Sequence, residues 1–173
     1  MEQQVTTRGV GMQYGVIVGI IMIIYGTLLQ VSGLALEYQS LSYINYIFLG
    51  VVIYLAHKKF KEDGDGFMSY GQGLGIGFWI SLIGGVISMV FSYIYMSFID
   101  STIMEQAMDK ARYDMEEKGM SDAQIDQAMS ITEKFMTPEM IFVMGIIGTL
   151  IFGFILSLIV SAITKKTDPQ LEV

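Results

Sequence analysis

The sequence predicts an all-α integral membrane protein, a four-helix bundle with a helical extracytoplasmic hairpin between its third and fourth spans. Three observations carry this prediction. Hydrophobic residues fill 53% of the 173 positions and charged residues only 16%, with a mean hydropathy of +0.53; soluble domains average about a quarter charged. Asp, Glu, Lys and Arg are missing from four long stretches, 9–36, 38–56, 66–99 and 140–164. Between the last two lies a charged segment, 100–138, with apolar residues at helical spacing.

A bilayer core about 30 Å thick needs roughly 20 apolar residues in helical form. The expected spans are 10–31, 38–57, 71–98 and 139–164, in a single membrane domain over 1–173. The second is the shortest and carries Asn45. Runs such as Val16 to Ile24 are apolar on every side. That suits a lipid-bathed helix and not the alternating strands of a membrane barrel. Arg8 precedes the first run, which is too long for a signal core and is followed by no small-x-small cleavage pattern, so it is expected to remain as an anchor.

The lysines predict orientation. Arg8 stands before the first span; Lys58, Lys59 and Lys61 lie between the second and third; Lys165 and Lys166 follow the fourth. The link between the first two spans has Glu37 and no cation. Both termini are therefore expected in the cytoplasm, and segment 100–138 outside. From Asp100 to Glu139 there are ten acidic residues against Lys110, Arg112, Lys118 and Lys134, a net −6 out of −7 for the chain. Such a surface repels nucleic acid.

The outer segment reads as two short amphipathic helices. Met104, Met108, Ala111 and Met115 share one face, and Gly119 after Lys118 is a left-handed cap. Ser121 with Gln124 forms a capping box, with Met120 and Ile125 at the staple positions. Ile125, Ala128, Met129, Thr132, Phe135 and Met136 continue the second face, and Thr137-Pro138 opens the last span. Eight of the 14 methionines fall between Met104 and Met144. Thioethers bind Cu(I), but no His or Cys joins them, and adaptable packing is the expected role.

Small residues form ridges: Gly11, Gly15 and Gly19 every four positions in the first span; Gly73, Gly77, Ser81, Gly85, Ser88 and Ser92, nearly continuous, in the third; Gly145, Thr149, Gly153, Ser157 and Ser161 in the fourth. Lipid tails are as apolar as the helices, so close backbone approach must hold spans together. These ridges predict tight packing, with a sliding surface or narrow pore as the functional alternative.

Catalytic machinery is not in evidence. Cysteine is absent, histidine occurs once, and no charge falls in the apolar centres. No acid/base pair, nucleophile or metal set assembles, so no catalytic, cofactor-binding or metal residue is expected. Gly64 to Gly77 lacks the Lys-Ser/Thr of a phosphate loop, and Asp63 with Asp65 lacks the glycine and glutamate of a calcium loop. His57 is expected at the cytoplasmic interface beside Lys58. Gln13 and Asn45 are expected to hydrogen-bond between helices. Tyr43, Tyr46, Tyr93 and Tyr95 are expected at the outer interface, Tyr54 and Tyr70 at the inner.

The order of features resembles the bacterial membrane proteins of domain-of-unknown-function family 4199. The resembling parts are Gly15 and Gly19 in the first span, the lysine-bearing turn, and Phe67-Met68-Ser69-Tyr70-Gly71-Gln72-Gly73 entering the third; the acidic helical segment with Thr137-Pro138 before the last span completes it. The resemblance implies four spans in a bacterial cytoplasmic (inner) membrane and brings no activity. The expected function is a non-enzymatic structural or accessory multi-pass protein acting through its outer segment; the alternative is a small oligomeric channel or carrier packed through glycine/serine ridges. Expected partners are the lipid bilayer and a second copy or another membrane protein.

Overall fold

The computed structural model describes residues 5–168; the extreme ends of the domain expected over 1–173, and of its two tails, lie outside the described residues. Helix α1, Thr7–Val31, opens on the Thr6 hydroxyl, which accepts from the Gly9 N–H at 3.0 Å. A one-turn helix α2, Leu34–Glu37, and a 3-10 stretch, Gln39–Tyr43, lead into α3, Ile44–Asp63. Helix α4 is Tyr70–Ile94 and runs on into a π-helical turn, Tyr95–Ile99. Helices α5, Thr102–Glu117, and α6, Asp122–Phe135, precede α7, Pro138–Thr164. Among the described residues the one pairing of extended backbone is the isolated bridge between Met68 and Lys166.

Four helical stretches are long and apolar enough to cross a membrane: Thr7–Val31, Gln39–Asp63, Tyr70–Ile99 and Pro138–Thr164. The chain is a multi-pass, all-helical membrane protein. The second stretch departs most from expectation, running to Asp63 instead of stopping near 57. Its lysines do not end the helix. They extend it, because Lys58 pairs with Glu62 at 3.6 Å and Lys59 with Asp63 at 2.8 Å, each one turn apart. The Lys61 ammonium donates to the Thr164 carbonyl at 2.8 Å, satisfying an acceptor at the C-terminal end of α7.

Side-chain registers fix the directions of the spans. The space beside Gly11, Gly15 and Gly19 of α1 is taken in turn by Trp79, Ile83 and Ile87 of α4, so both numbers rise together and the helices are parallel. The Tyr25 ring meets Phe48 edge-on at 5.3 Å, while Leu49, Ile53 and Phe60 of α3 share one core with Val10 and Val18 of α1. His57 of α3 reaches Thr164 of α7, and Tyr46 reaches Phe152, so α3 and α7 are parallel. The start of α1, the end of α3, the start of α4 and the end of α7 thus share one end of the bundle. That end carries Arg8, Lys58, Lys59, Lys61, Lys165 and Lys166. Arg8 lies 5.2 Å over the Trp79 ring, and Lys166 lies 5.3 Å over Phe67.

The turn between α3 and α4 is built from local bonds. Gly66 has φ +84, the left-handed region where a Cβ is costly. Phe67 N–H donates to Asp65 Oδ1 at 3.0 Å. Ser69 and Gln72 then form a reciprocal capping box, Gln72 N–H to Ser69 Oγ at 3.2 Å and Ser69 N–H to Gln72 Oε1 at 2.7 Å. The Ser-x-x-Gln signature was present in the sequence, among glycines that drew attention to a phosphate loop and away from a helix cap.

The chain divides into two compact units, one ending at Ser88 and resuming at Ile146, the other Met89–Gly145. In the second, α5 ends in a Schellman turn: Met120 N–H reaches the Met115 carbonyl at 3.2 Å and Gly119 N–H the Glu116 carbonyl at 2.9 Å, with Gly119 at φ +74. Gln124 Oε1 accepts from the Ser121 N–H at 3.0 Å, as the predicted capping box requires. Ile125 and Met129 are buried, and Arg112 of α5 pairs with Asp126 of α6 at 3.6 Å. The Asp114 carboxylate hydrogen-bonds the Lys110 ammonium one turn away and holds it above the ordinary lysine range. Thr137 Oγ1 caps α7 through the Met140 N–H, with Pro138 first in the helix.

Candidate functional site

The polar interior of the first unit is a seam between α4 and α7. Because the helices are antiparallel, each step of four along one is matched by a step of four back along the other. Gly73 faces Ser161, Gly77 faces Ser157, Ser81 faces Gly153, and Gly85 faces Thr149. Each level pairs one glycine with one hydroxyl residue; the glycine is on α4 at three levels and on α7 at one, Gly153 opposite Ser81. A Cβ on Gly77 would sit 2.7 Å from the Ser157 Cβ, and one on Gly153 would sit 2.6 Å from the Ser81 Cβ. Both lie well inside van der Waals contact, so backbone meets side chain with no room between.

The Ser81 and Ser157 hydroxyls are satisfied within their own helices. Ser81 Oγ donates to the Gly77 carbonyl at 2.8 Å, and Ser157 Oγ to the Gly153 carbonyl at 2.6 Å. This back-bonding leaves the hydroxyls small, neutral and buried. Ser81, Ser157 and Ser161 are at most 1% exposed. The predicted ridges of the third and fourth spans are therefore one contact, and that of the first span packs on α4 by itself.

At the lysine-bearing end the seam meets the one histidine. His57, expected at the cytoplasmic interface, lies at the lysine-bearing end and is 0% exposed within the protein. It is buried because α3 continues past it and because Gly73 has no side chain: a Cβ there would lie 3.2 Å from His57 Cε1. Nε2 lies 3.0 Å from the Gly73 carbonyl, and Nδ1 lies 2.8 Å from Thr164 Oγ1. A carbonyl only accepts, so Nε2 carries the proton toward it and Nδ1 is the acceptor of the neutral ring. Thr164 Oγ1 also lies 2.7 Å from the Val160 carbonyl, which leaves one hydroxyl proton between two acceptors. One imidazole thus ties α3 to α4 and α7.

Among the described residues two buried oxygens have no hydrogen-bond partner: Ser161 Oγ and Asn45 Oδ1. A Cβ on Gly73 would lie 2.5 Å from Ser161 Oγ. The oxygen therefore rests over the Gly73 α-carbon, where a weak Cα–H···O contact is the available compensation. The expected interhelical bonds from Asn45 Oδ1 and Gln13 do not form. Asn45 lies in the first turns of α3, and Gln13 is exposed on α1 without a hydrogen bond. Among the described residues no three His, Cys, Asp or Glu side chains converge in a way that could hold a metal ion.

A family model described as a protein of unknown function, DUF4199, matches residues 13–166. No curated protein and no solved structure matches the chain. The matched range takes in the first span from Gln13 onward, the other three spans whole, the Ser69–Gln72 cap, the seam and His57.

Proposed function

The chain belongs to the DUF4199 family, and we propose that it is a non-enzymatic structural or accessory protein of a bacterial cytoplasmic membrane, acting through the acidic helices α5 and α6. What carries this reading is the contrast between a closed membrane part and an open polar part. The Ser81 and Ser157 hydroxyls are spent on their own helices, and both His57 nitrogens face protein groups. The Ser161 hydroxyl oxygen has no hydrogen-bond partner but is 0% exposed, packed against Gly73. The α5–α6 segment has its own buried residues, a net negative surface, and exposed Tyr113, Ile131 and Phe135. Exposed aromatic and aliphatic groups amid charge are the usual material of a partner surface.

The cations at one end of the bundle support an orientation with that end, and both termini, in the cytoplasm. In that orientation segment 100–138, between the last two spans, is the outer one. The chain lacks cysteine, so a single engineered one reports alone. In intact cells stripped of any outer layer, Ser130→Cys should react with a membrane-impermeant maleimide, and Thr167→Cys only after lysis. The reverse pattern would overturn the orientation. A photo-crosslinker at Ile131 should give a discrete adduct that one at Ile155, on α7, does not. The channel or carrier alternative expects solute flux through reconstituted vesicles. Such flux, with no adduct at Ile131, would replace the accessory reading.

A further inference from the structure

Three hydrogen-bond contacts meet around His57, and the neutral ring leaves them one proton short. Nε2 lies 3.0 Å from the Gly73 carbonyl, Nδ1 lies 2.8 Å from Thr164 Oγ1, and Thr164 Oγ1 lies 2.7 Å from the Val160 carbonyl. The proton on Nε2 fills the first contact. The Thr164 hydroxyl proton fills one of the other two and leaves lone pairs face to face in the last, at hydrogen-bond length. His57 is 0% exposed and Thr164 7%, so the mismatch is buried. A second proton on the ring removes it: Nε2–H donates to Gly73, Nδ1–H donates to Thr164 Oγ1, and the Thr164 hydroxyl donates to Val160.

The surroundings offer oxygens to a positive ring. Ser161 Oγ, the buried hydroxyl oxygen without a partner, and His57 Cε1 border the same space over the Gly73 α-carbon, 2.5 Å and 3.2 Å from where a Cβ would stand. A protonated ring polarises Cε1–H toward such an oxygen. Thr164 ends α7, and the negative end of that helix dipole favours a cation. The first turn of α4, which holds Gly73, opposes one, as does the Lys61 ammonium one turn beyond His57 on α3. On α7 the next cation is Lys165, and on α4 the near titratable group is Tyr70, whose hydroxyl lies 3.4 Å from the Leu158 carbonyl. Glu62 and Asp63 pair with Lys58 and Lys59, and Asp65 accepts from the Phe67 N–H. Among the described residues Lys61 is the one charged side chain that acts on the ring.

We propose that His57 is a proton-binding site whose ring takes up a second proton without leaving its place. The proton comes from water and forms the Nδ1–H bond. The Thr164 hydroxyl turns its own proton from Nδ1 to the Val160 carbonyl, and its oxygen accepts from the ring. The ring need not move to be charged, because Gly73 O, Thr164 Oγ1 and Ser161 Oγ can all accept. A ring held by fixed donors would be expelled instead. The point that ties α3 to α4 and α7 thereby responds to pH. The proposal does not depend on the accessory role of α5 and α6.

The test uses the full chain in phosphatidylcholine vesicles, with isotope-labelled histidine and no histidine tag, so that the single ring reports alone by nuclear magnetic resonance. The pH is lowered from about 8 to about 4, a range that brackets the ordinary histidine value. Both ring nitrogens should become protonated with helix content unchanged, and the Val160 carbonyl signal should move at the same midpoint. Thr164→Val offers Nδ1–H no acceptor and should lower that midpoint by about one to two pH units, the worth of a hydrogen bond to a charged group. Thr164→Ser keeps the hydroxyl and should leave the midpoint in place. A ring that stays neutral throughout, or is protonated only as helix is lost, would overturn the proposal. So would a midpoint that folded Thr164→Val raises or leaves unmoved, since the hydroxyl would then serve the neutral ring as donor. If Thr164→Val does not fold, the natural chain decides: a Val160 signal that stays still while the ring is protonated would overturn the proposal.

Discussion

Gly77→Ser should destabilise the bundle by about 1–3 kcal/mol, the usual range for overfilling a packed core, and Ser157→Gly in the same chain should restore most of the loss. Each level of the α4–α7 seam pairs one glycine with one hydroxyl residue, in either order. At Gly77 the small partner is on α4 and the hydroxyl on α7; one turn on, at Ser81 and Gly153, the assignment is reversed. The interface therefore accepts either order but not two side chains at one level. Gly77→Ser alone places its Cβ 2.7 Å from the Ser157 Cβ. Ser157→Gly alone leaves a small void and loses the back-bond to the Gly153 carbonyl. Together they rebuild a pair of the type already present at Ser81 and Gly153. Gly77→Leu, which nothing opposite can accommodate, should prevent assembly of the bundle. The measurement is unfolding of the detergent-solubilised protein by increasing dodecyl sulfate, analysed as a double-mutant cycle. Strictly additive effects at 77 and 157 would contradict the seam.

The second large effect is expected at His57. His57→Leu keeps an apolar side chain of similar bulk but removes both ring contacts, from Gly73 and Thr164. About 2 kcal/mol should be lost, within the range for stripping a buried polar group of its partner. Thr164→Val should cost a similar amount, because it leaves Nδ1 buried with nothing to accept from. The two losses should overlap, so the double variant should fall short of their sum by about 1 kcal/mol. If His57 stood at the water interface, as its place beside Lys58 led one to expect, His57→Leu would be nearly neutral and uncoupled from Thr164. The same dodecyl sulfate titration distinguishes the two outcomes.

The spans were legible because lipid imposes a simple rule: a long run without charge must be helical and must cross. Thr7–Val31 and Pro138–Thr164 fall within a few residues of expectation for that reason. The caps were legible where glycine, proline or a hydroxyl announced them, as at Gly119, Ser121 and Thr137. The end of α3 was not, since lysine reads as exit from the membrane while Lys58 and Lys59 find partners one turn on and keep the helix going. The ridges were visible, but which ridge meets which was not. A four-residue repeat identifies a face and is silent about the helix opposite. Only the pairing of Gly73 with Ser161 and Gly77 with Ser157 shows that two ridges are one interface. His57 was missed for the same reason: its partners are 16 and 107 residues away in the chain.

That these helices are solvated by lipid is tested most directly by spin labels at single cysteines in vesicles. Labels at Val51, near the middle of α3, and Ile155, in α7, both exposed on the surface of the first unit, should relax strongly with oxygen and weakly with a water-soluble nickel chelate. A label at Ser130 should show the opposite preference. Nickel access at Val51 and Ile155 equal to that at Ser130 would mean that water surrounds these helices and would contradict the account.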